Sequence, residues 1–318
     1  MSAPGPIAPA TLGGADPARF CAAFAEAADT PLAGIGAHPE RCVLIRWPKG
    51  RWRHSPRIAD GMGAEVEAAV DAAVAAGRRV NLIDRKGEPA ATIRAILQPE
   101  SLAFDLVPAD LAPFVNALAE DADLAPFGPR PAPAPAVLVC THGVHDRCCA
   151  KWGFAAYRAM AAAAGDRFDV WESTHIGGCR IAAGAVVLPA RRKYGRITPS
   201  HAAPLLAAEA EGRPYLPCYR GAPDLSPAGQ AAEVAGLRAL AGAGRWGAAG
   251  VTPLGGPEDA PRFAVDVKGT RAEVTLIKDT VADHGACADL HAGEPPEPRI
   301  VWRAADVRLV RPPPGAAP

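Results

Sequence analysis

Five residues in the middle of the chain have the types and spacing that soft-metal chemistry needs: Cys140, the adjacent Cys148 and Cys149, His175 and Cys179. They lie in two short clusters, CTHGVHDRCC at 140–149 and HIGGC at 175–179. Thiolates and imidazole are the ligands of zinc and of iron–sulfur centres. Each cluster offers close ligand pairs, so a fold that joins the two loops would enclose one centre. Redox carriage or a structural metal is the chemistry implied. Glycoside hydrolysis is not, because it needs two opposed carboxylates. The nearby acids, Asp146 and Glu172, read more simply as a helix N-cap and a strand-end residue.

Local pattern says what must position these groups. Val137–Cys140 reads as a strand ending in the first cysteine, with Asp146 capping a helix from Arg147 to about Ala164. Phe168–Glu172 reads as a second strand, running into HIGGC. Ala185–Leu188 and Lys193–Ile197 follow as a hairpin, then helices over Ala202–Ala210 and Pro227–Leu240. The order β-α-β-β-β-α matches a thioredoxin-like topology. A helix N-terminus favours thiolate near Cys148 and Cys149. On a helix these two neighbours point about 100° apart, so both are not expected on one centre. Gly177 and Gly178 let the backbone bend tightly and leave amides free to donate to sulfur. Arg180, Arg147 and Lys151 add positive charge. His142 and His145 read as solvated loop histidines, able also to hydrogen-bond a cluster or meet a partner.

Upstream, Cys42–Arg46, Ala64–Ala76, Arg79–Asp84, Ala91–Leu97 and Ser101–Val107 form a strand, helix, strand series, a βαβ unit. Trp47 and Trp52 of WPKGRW read as core or rim packing. Downstream, Phe263–Val267, Ala272–Ile277 and Ile300–Leu309 alternate as strands. His284, Cys287 and His291, between these strands, make at most half a zinc site. The expected fold class is α/β, a thioredoxin-like ferredoxin domain at 137–241 preceded by an α/β domain at 17–126. That domain is expected to be a degenerate thioredoxin-like repeat. A Pro/Ala linker at 127–136 would separate the two, a small β-rich module would span 242–310, and tails at 1–16 and 311–318 cannot build a core.

Composition excludes other classes. The 34 Lys and Arg balance 34 Asp and Glu, so no global field points to nucleic acid or anionic membrane. No apolar run approaches the roughly 18 residues of a spanning helix. The start MSAPGPIAPA lacks a signal-peptide pattern, so a cytoplasmic location is expected. Eight cysteines then argue against a disulfide framework, and Cys21, Cys42, Cys218 and Cys287 read as buried small hydrophobes.

The motifs CTHGVHDRCCAKWG at 140–153, VWESTHIGGCRIAAGAVVLP at 170–189, YGRI at 194–197 and CYRGAPDLSPAGQAAE at 218–233 resemble the sucrase/ferredoxin-like family. RCVLIRWPKGRW fits more weakly. The resemblance implies a [2Fe–2S] cluster, with Cys140 and Cys149 as the first two ligands and His175 and position 179 as the family's HxGGH pair. Here position 179 is Cys, so three Cys and one His are expected. Centres with two His ligands reach about −150 to +300 mV and plant-type centres lie near about −400 mV, so one His should fall between. A free ring nitrogen on the ligand should make that potential pH-dependent. The implied role is an electron carrier served by a separate reductase and acceptor, with no GxGxxG, P-loop or flavin signature of its own. Structural zinc on the same ligands is the main alternative, followed by a thiol oxidoreductase using Cys148 or Cys149 and by a metal-free interaction module.

Overall fold

The computed structural model describes residues 7–89 and 91–310. They fall into two units. One, here the loop unit, is Pro39–Gly177 with Ala183–Arg191; the other, the terminal unit, is Met1–His38, Gly178–Ala182 and Arg192–Pro318. Helix α1 (Cys21–Ala27) lies in the terminal unit. The loop unit then holds β1 (Cys42–Arg46), α2 (Ala64–Ala75), β2 (Arg79–Asp84), β3 (Ile93–Gln98), β4 (Leu102–Leu106), α3 (Leu111–Ala119), β5 (Arg130–Pro131), β6 (Ala136–Cys140), α4 (Phe154–Ala164), β7 (Asp169–Ser173) and β8 (Ala185–Val187). The terminal unit resumes with β9 (Arg192–Tyr194), α5 (Ala202–Ala210), α6 (Pro227–Gly242), β10 (Gly250–Gly255), β11 (Arg262–Val267), β12 (Thr270–Asp283), α7 (Cys287–His291) and β13 (Glu297–Val310). The chain is thus mixed α/β, as expected.

In the loop unit the strands run β5-β4-β3-β1-β2-β7-β6-β8. Two βαβ crossovers stand side by side: β1 pairs parallel with β2, and β6 parallel with β7. In each, the next strand adds antiparallel beside the first, β3 on β1 and β8 on β6. The halves meet where β2 and β7 pair antiparallel, Ile83 opposite Ser173. The two βαβ halves therefore share one sheet. Pairing removes two strand edges that would otherwise present unpaired backbone. Within 127–136, Arg130 and Pro131 pair with Ala103 and Leu102 on an edge that tolerates proline, and Ala136 begins β6.

Burial explains the helices. In α2, Val66, Ala69, Val70 and Ala73 are buried at helical spacing, and they meet Val43, Ile45, Phe104 and Phe114 in one core. Helix α3, unforeseen from sequence, adds Leu111, Val115 and Leu118 to it. In the terminal unit β10-β11-β12-β13 form a separate antiparallel sheet. Helix α6 crosses it closely: a Cβ on Gly236 would lie 2.6 Å from Val265. Strand β12 runs six residues beyond the expected Ala272–Ile277 at its C-terminal end, paired along that stretch with β13 from Ala282 opposite Pro298 to Lys278 opposite Trp302. Of the expected tails, residues 1–6 and 311–318 lie outside the described residues. Residues 10 and 12 are tied down, Ala10 N–H donating to the Pro217 carbonyl at 2.8 Å and Leu12 N–H to the Glu26 carboxylate at 2.9 Å.

Candidate metal centre

Parallel pairing puts the C-terminal ends of β6 and β7 together, so the loops that follow them start as neighbours. Cys140 and Ser173 are register partners, and Thr141 N–H donates to the Ser173 carbonyl at 3.1 Å. The first loop turns through 141–146 and enters a helix at Arg147. Asp146 caps it, its Oδ1 accepting from Cys148 N–H at 2.7 Å. Cys149–Gly153 is wound as a π turn before α4 begins, a local widening common at functional sites. Gly153 allows this turn to rest on the strand end, since a Cβ there would sit 2.0 Å from the Cys140 carbonyl oxygen.

The second loop is held from β2. Thr174 Oγ1 accepts from Leu82 N–H at 3.0 Å. The His175 carbonyl accepts from Asn81 Nδ2 at 3.1 Å and from Arg79 Nη2 at 2.6 Å. His142 joins the loops: its Nδ1 accepts from His175 N–H at 3.3 Å, and its Nε2 meets the Arg53 carbonyl at 2.7 Å. Because Nδ1 accepts, Nε2 carries the proton. Burial, with smaller contributions from neighbouring histidines, pulls its pKa down to about 4. His142 is buried, which corrects the solvated-loop reading, and Trp52 stands edge-on to it at 5.7 Å. His145 is half-buried; its ring lies 4.1 Å from that of His175 and 4.8 Å from that of His54.

Donor atoms converge around this loop. A ring nitrogen of His145 lies within 4.8 Å of one of His175, and a carboxylate oxygen of Asp146 lies within 4.8 Å of Sγ of Cys148 and of Cys149. This is a cluster of Cys, His and Asp groups able to hold a metal. Cys140 and Cys149, at the two ends of the loop, are both 3 % exposed. Sequence reading missed the carboxylate of Asp146 as a member, gave His145 only as a possible hydrogen-bond partner of a cluster, and overlooked His54 beside His145. The only signal was the density of histidine around Cys140, and nothing local marks His54.

The unit boundary runs through HIGGC, between Gly177 and Gly178. Both glycines have φ of +91°, a left-handed conformation that side chains rarely adopt. Beyond them Cys179, buried, opens a 3₁₀ turn to Ile181 in the terminal unit. Arg180 faces Asp283 of its own unit at 3.2 Å, so its charge has a counter-ion there. Among the acids near the motif, Glu172 pairs with Lys49.

The scattered cysteines are buried as expected. Burial pushes the Cys42 thiol up to about 11 and the Cys218 thiol up to about 12, so neither is a thiolate at neutral pH. Cys21 and Cys287 are not isolated: their sulfurs lie 3.6 Å apart. His284 instead meets Phe24 edge-on, and His291 Nε2 meets the Arg19 carbonyl. Among the described residues no metal cluster includes His284 or His291.

Fold and site together define a mixed α/β protein with a cluster of Cys, His and Asp groups that could hold a metal. The sucrase/ferredoxin-like family model matches residues 32–221, more than half of the chain, and the chain belongs to that family. No curated protein and no solved structure matches it. No helix among the described residues is long and apolar enough to cross a membrane.

Proposed function

We propose that this protein transfers electrons through one [2Fe–2S] cluster held by Cys140, Cys149, His175 and Cys179. The observation that carries the reading is the juxtaposition of the two loops at the ends of β6 and β7, tied together through His142. The donor set fits. Three buried cysteines and one imidazole are ligands that such clusters accept. Gly177 and Gly178 keep side-chain bulk away from the second loop. When bound, the cluster supplies a one-electron couple. The chain's part is to orient His175 through its backbone, with Arg79 and Asn81 on its carbonyl and His142 on its amide. Each half of the loop unit has β-α-β with the third strand beside the first, the arrangement a thioredoxin-like fold requires. That supports a thioredoxin-like ferredoxin domain with a ligand-free repeat before it. A separate reductase and acceptor complete the role. No disulfide joins the cysteines, which suits a reducing, cytoplasmic setting.

A structural zinc site is the second reading. It is favoured by the Asp146 oxygen near Cys149, a donor that zinc takes readily. Iron and acid-labile sulfide analysis of anaerobically purified protein separates the two, together with absorption and EPR spectra after dithionite. The cluster predicts about two irons and two sulfides per chain. Stoichiometric zinc without sulfide would overturn it.

A further inference from the structure

We propose that the loop unit binds a small polyanion, carrying carboxylate or phosphate groups, in a cleft behind His175. The cleft holds about 300 Å³ and is lined by Arg57, Arg78, Arg79, His175, Pro39 and Pro56, all within one unit. Its charge is unbalanced. Arg78 has Asp121 at 3.1 Å and Glu100 at 3.9 Å, but one of its buried guanidinium nitrogens makes no hydrogen bond among the described residues. Arg79 spends its guanidinium on neutral oxygens, Asn81 Oδ1 at 2.8 Å and the His175 carbonyl at 2.6 Å. No carboxylate among the described residues pairs with Arg57 or Arg79.

Buried or half-buried cations are normally paired, because water no longer solvates them. Burial and the nearby charge of Arg57 both disfavour the charged form of Arg79, with only the thiols of Cys42 and Cys140 opposing. An oxyanion in the cleft supplies the missing counter-charge, and guanidinium forks match it bidentately. The lining also explains the choice of ligand size. The prolines make a stiff rim, and the cleft holds a few carboxylate or phosphate groups but not a folded domain. Such an anion would lie beside His175, so this site is placed to report on, or to respond to, the second loop whatever metal that loop holds.

Calorimetric titration of the full-length protein with citrate and with inorganic phosphate, each against chloride at equal ionic strength, tests this. Saturable binding of at least one is expected, and comparing the two distinguishes a carboxylate from a phosphate ligand. Arg57→Gln should weaken it at least tenfold. The same variant without anion should melt no lower than the wild type, because a repelling charge has gone. Arg53→Gln, which removes a guanidinium already paired with Asp60 and Glu67, should bind as the wild type does. Equal affinity in Arg57→Gln and wild type would overturn the proposal. So would binding of polyglutamate alone, which would make the cleft a docking surface for an acidic protein.

Discussion

The amide of His175 donates to Nδ1 of His142 at 3.3 Å, so one buried imidazole spans the two loops that carry the cysteine and histidine motifs. Its other nitrogen is spent on the Arg53 carbonyl. A side chain used this way is a strut, and its neutral state follows from burial.

Replacing His142 with leucine removes the imidazole from both the Arg53 carbonyl and the His175 amide. Both contacts are part-buried, so at about 0.5–1.5 kcal/mol per lost hydrogen bond His142→Leu should lose about 1–3 kcal/mol in urea unfolding. A loss near zero would show that water replaces the imidazole at both positions.

Gly153→Ala forces a methyl against the Cys140 carbonyl, which is backbone and cannot rotate away. Overpacking of this kind costs about 3 kcal/mol, and metal retention should fall with it. Gly50→Ala has nothing within 4 Å of the added atom and serves as the control. Equal melting temperatures for the two variants would contradict the close helix–strand contact.

The neighbours Cys148 and Cys149 should behave differently. Cys149→Ala is expected to abolish metal binding and visible absorption. Cys148→Ala, at a fully buried position, should keep both while losing about 1 kcal/mol of stability through the small void. The reverse pattern, read by metal analysis of both variants, would reassign the ligand.

Stability should fall as pH rises in the terminal unit. Burial raises the Glu233 carboxyl from 4.5 to about 7, while Ala222 N–H and Tyr219 hydroxyl donate to it. The folded state therefore holds its proton longer than the unfolded chain does. Its contribution is complete below pH 4.5 and is lost as pH rises through about 7. The change amounts to about 3 kcal/mol, taking 1.36 kcal/mol per pKa unit. Glu233→Gln should flatten this slope in denaturation curves taken from pH 4 to 8. An unchanged slope would point to another group.

Much of the architecture was legible because local rules dominate it. Cys42–Arg46 and Arg79–Asp84 form strands with the bounds their apolar runs suggest, and α5 matches Ala202–Ala210. Asp146 at a helix start was readable from capping chemistry alone. Helix α3 was not, since LAPFVNALA carries a proline and weak end signals, and its burial against α2 decides it. Short α7 was lost in a polar loop.

Residue type and spacing along the chain were enough to mark Cys140, Cys148, Cys149, His175 and Cys179 as a candidate metal motif, with the choice of Cys149 resting on the family resemblance, and to order the strands and helices around them. Covalent neighbours and hydrophobic period carry that information. The tertiary structure alone decided that β2 pairs with β7, so that one sheet runs through both halves of the loop unit. It also decided that the ring of His145 lies near those of both His54 and His175 and that three arginines crowd one cleft. Those relations join residues tens of positions apart, where strand pairing and burial act and sequence distance carries no signal.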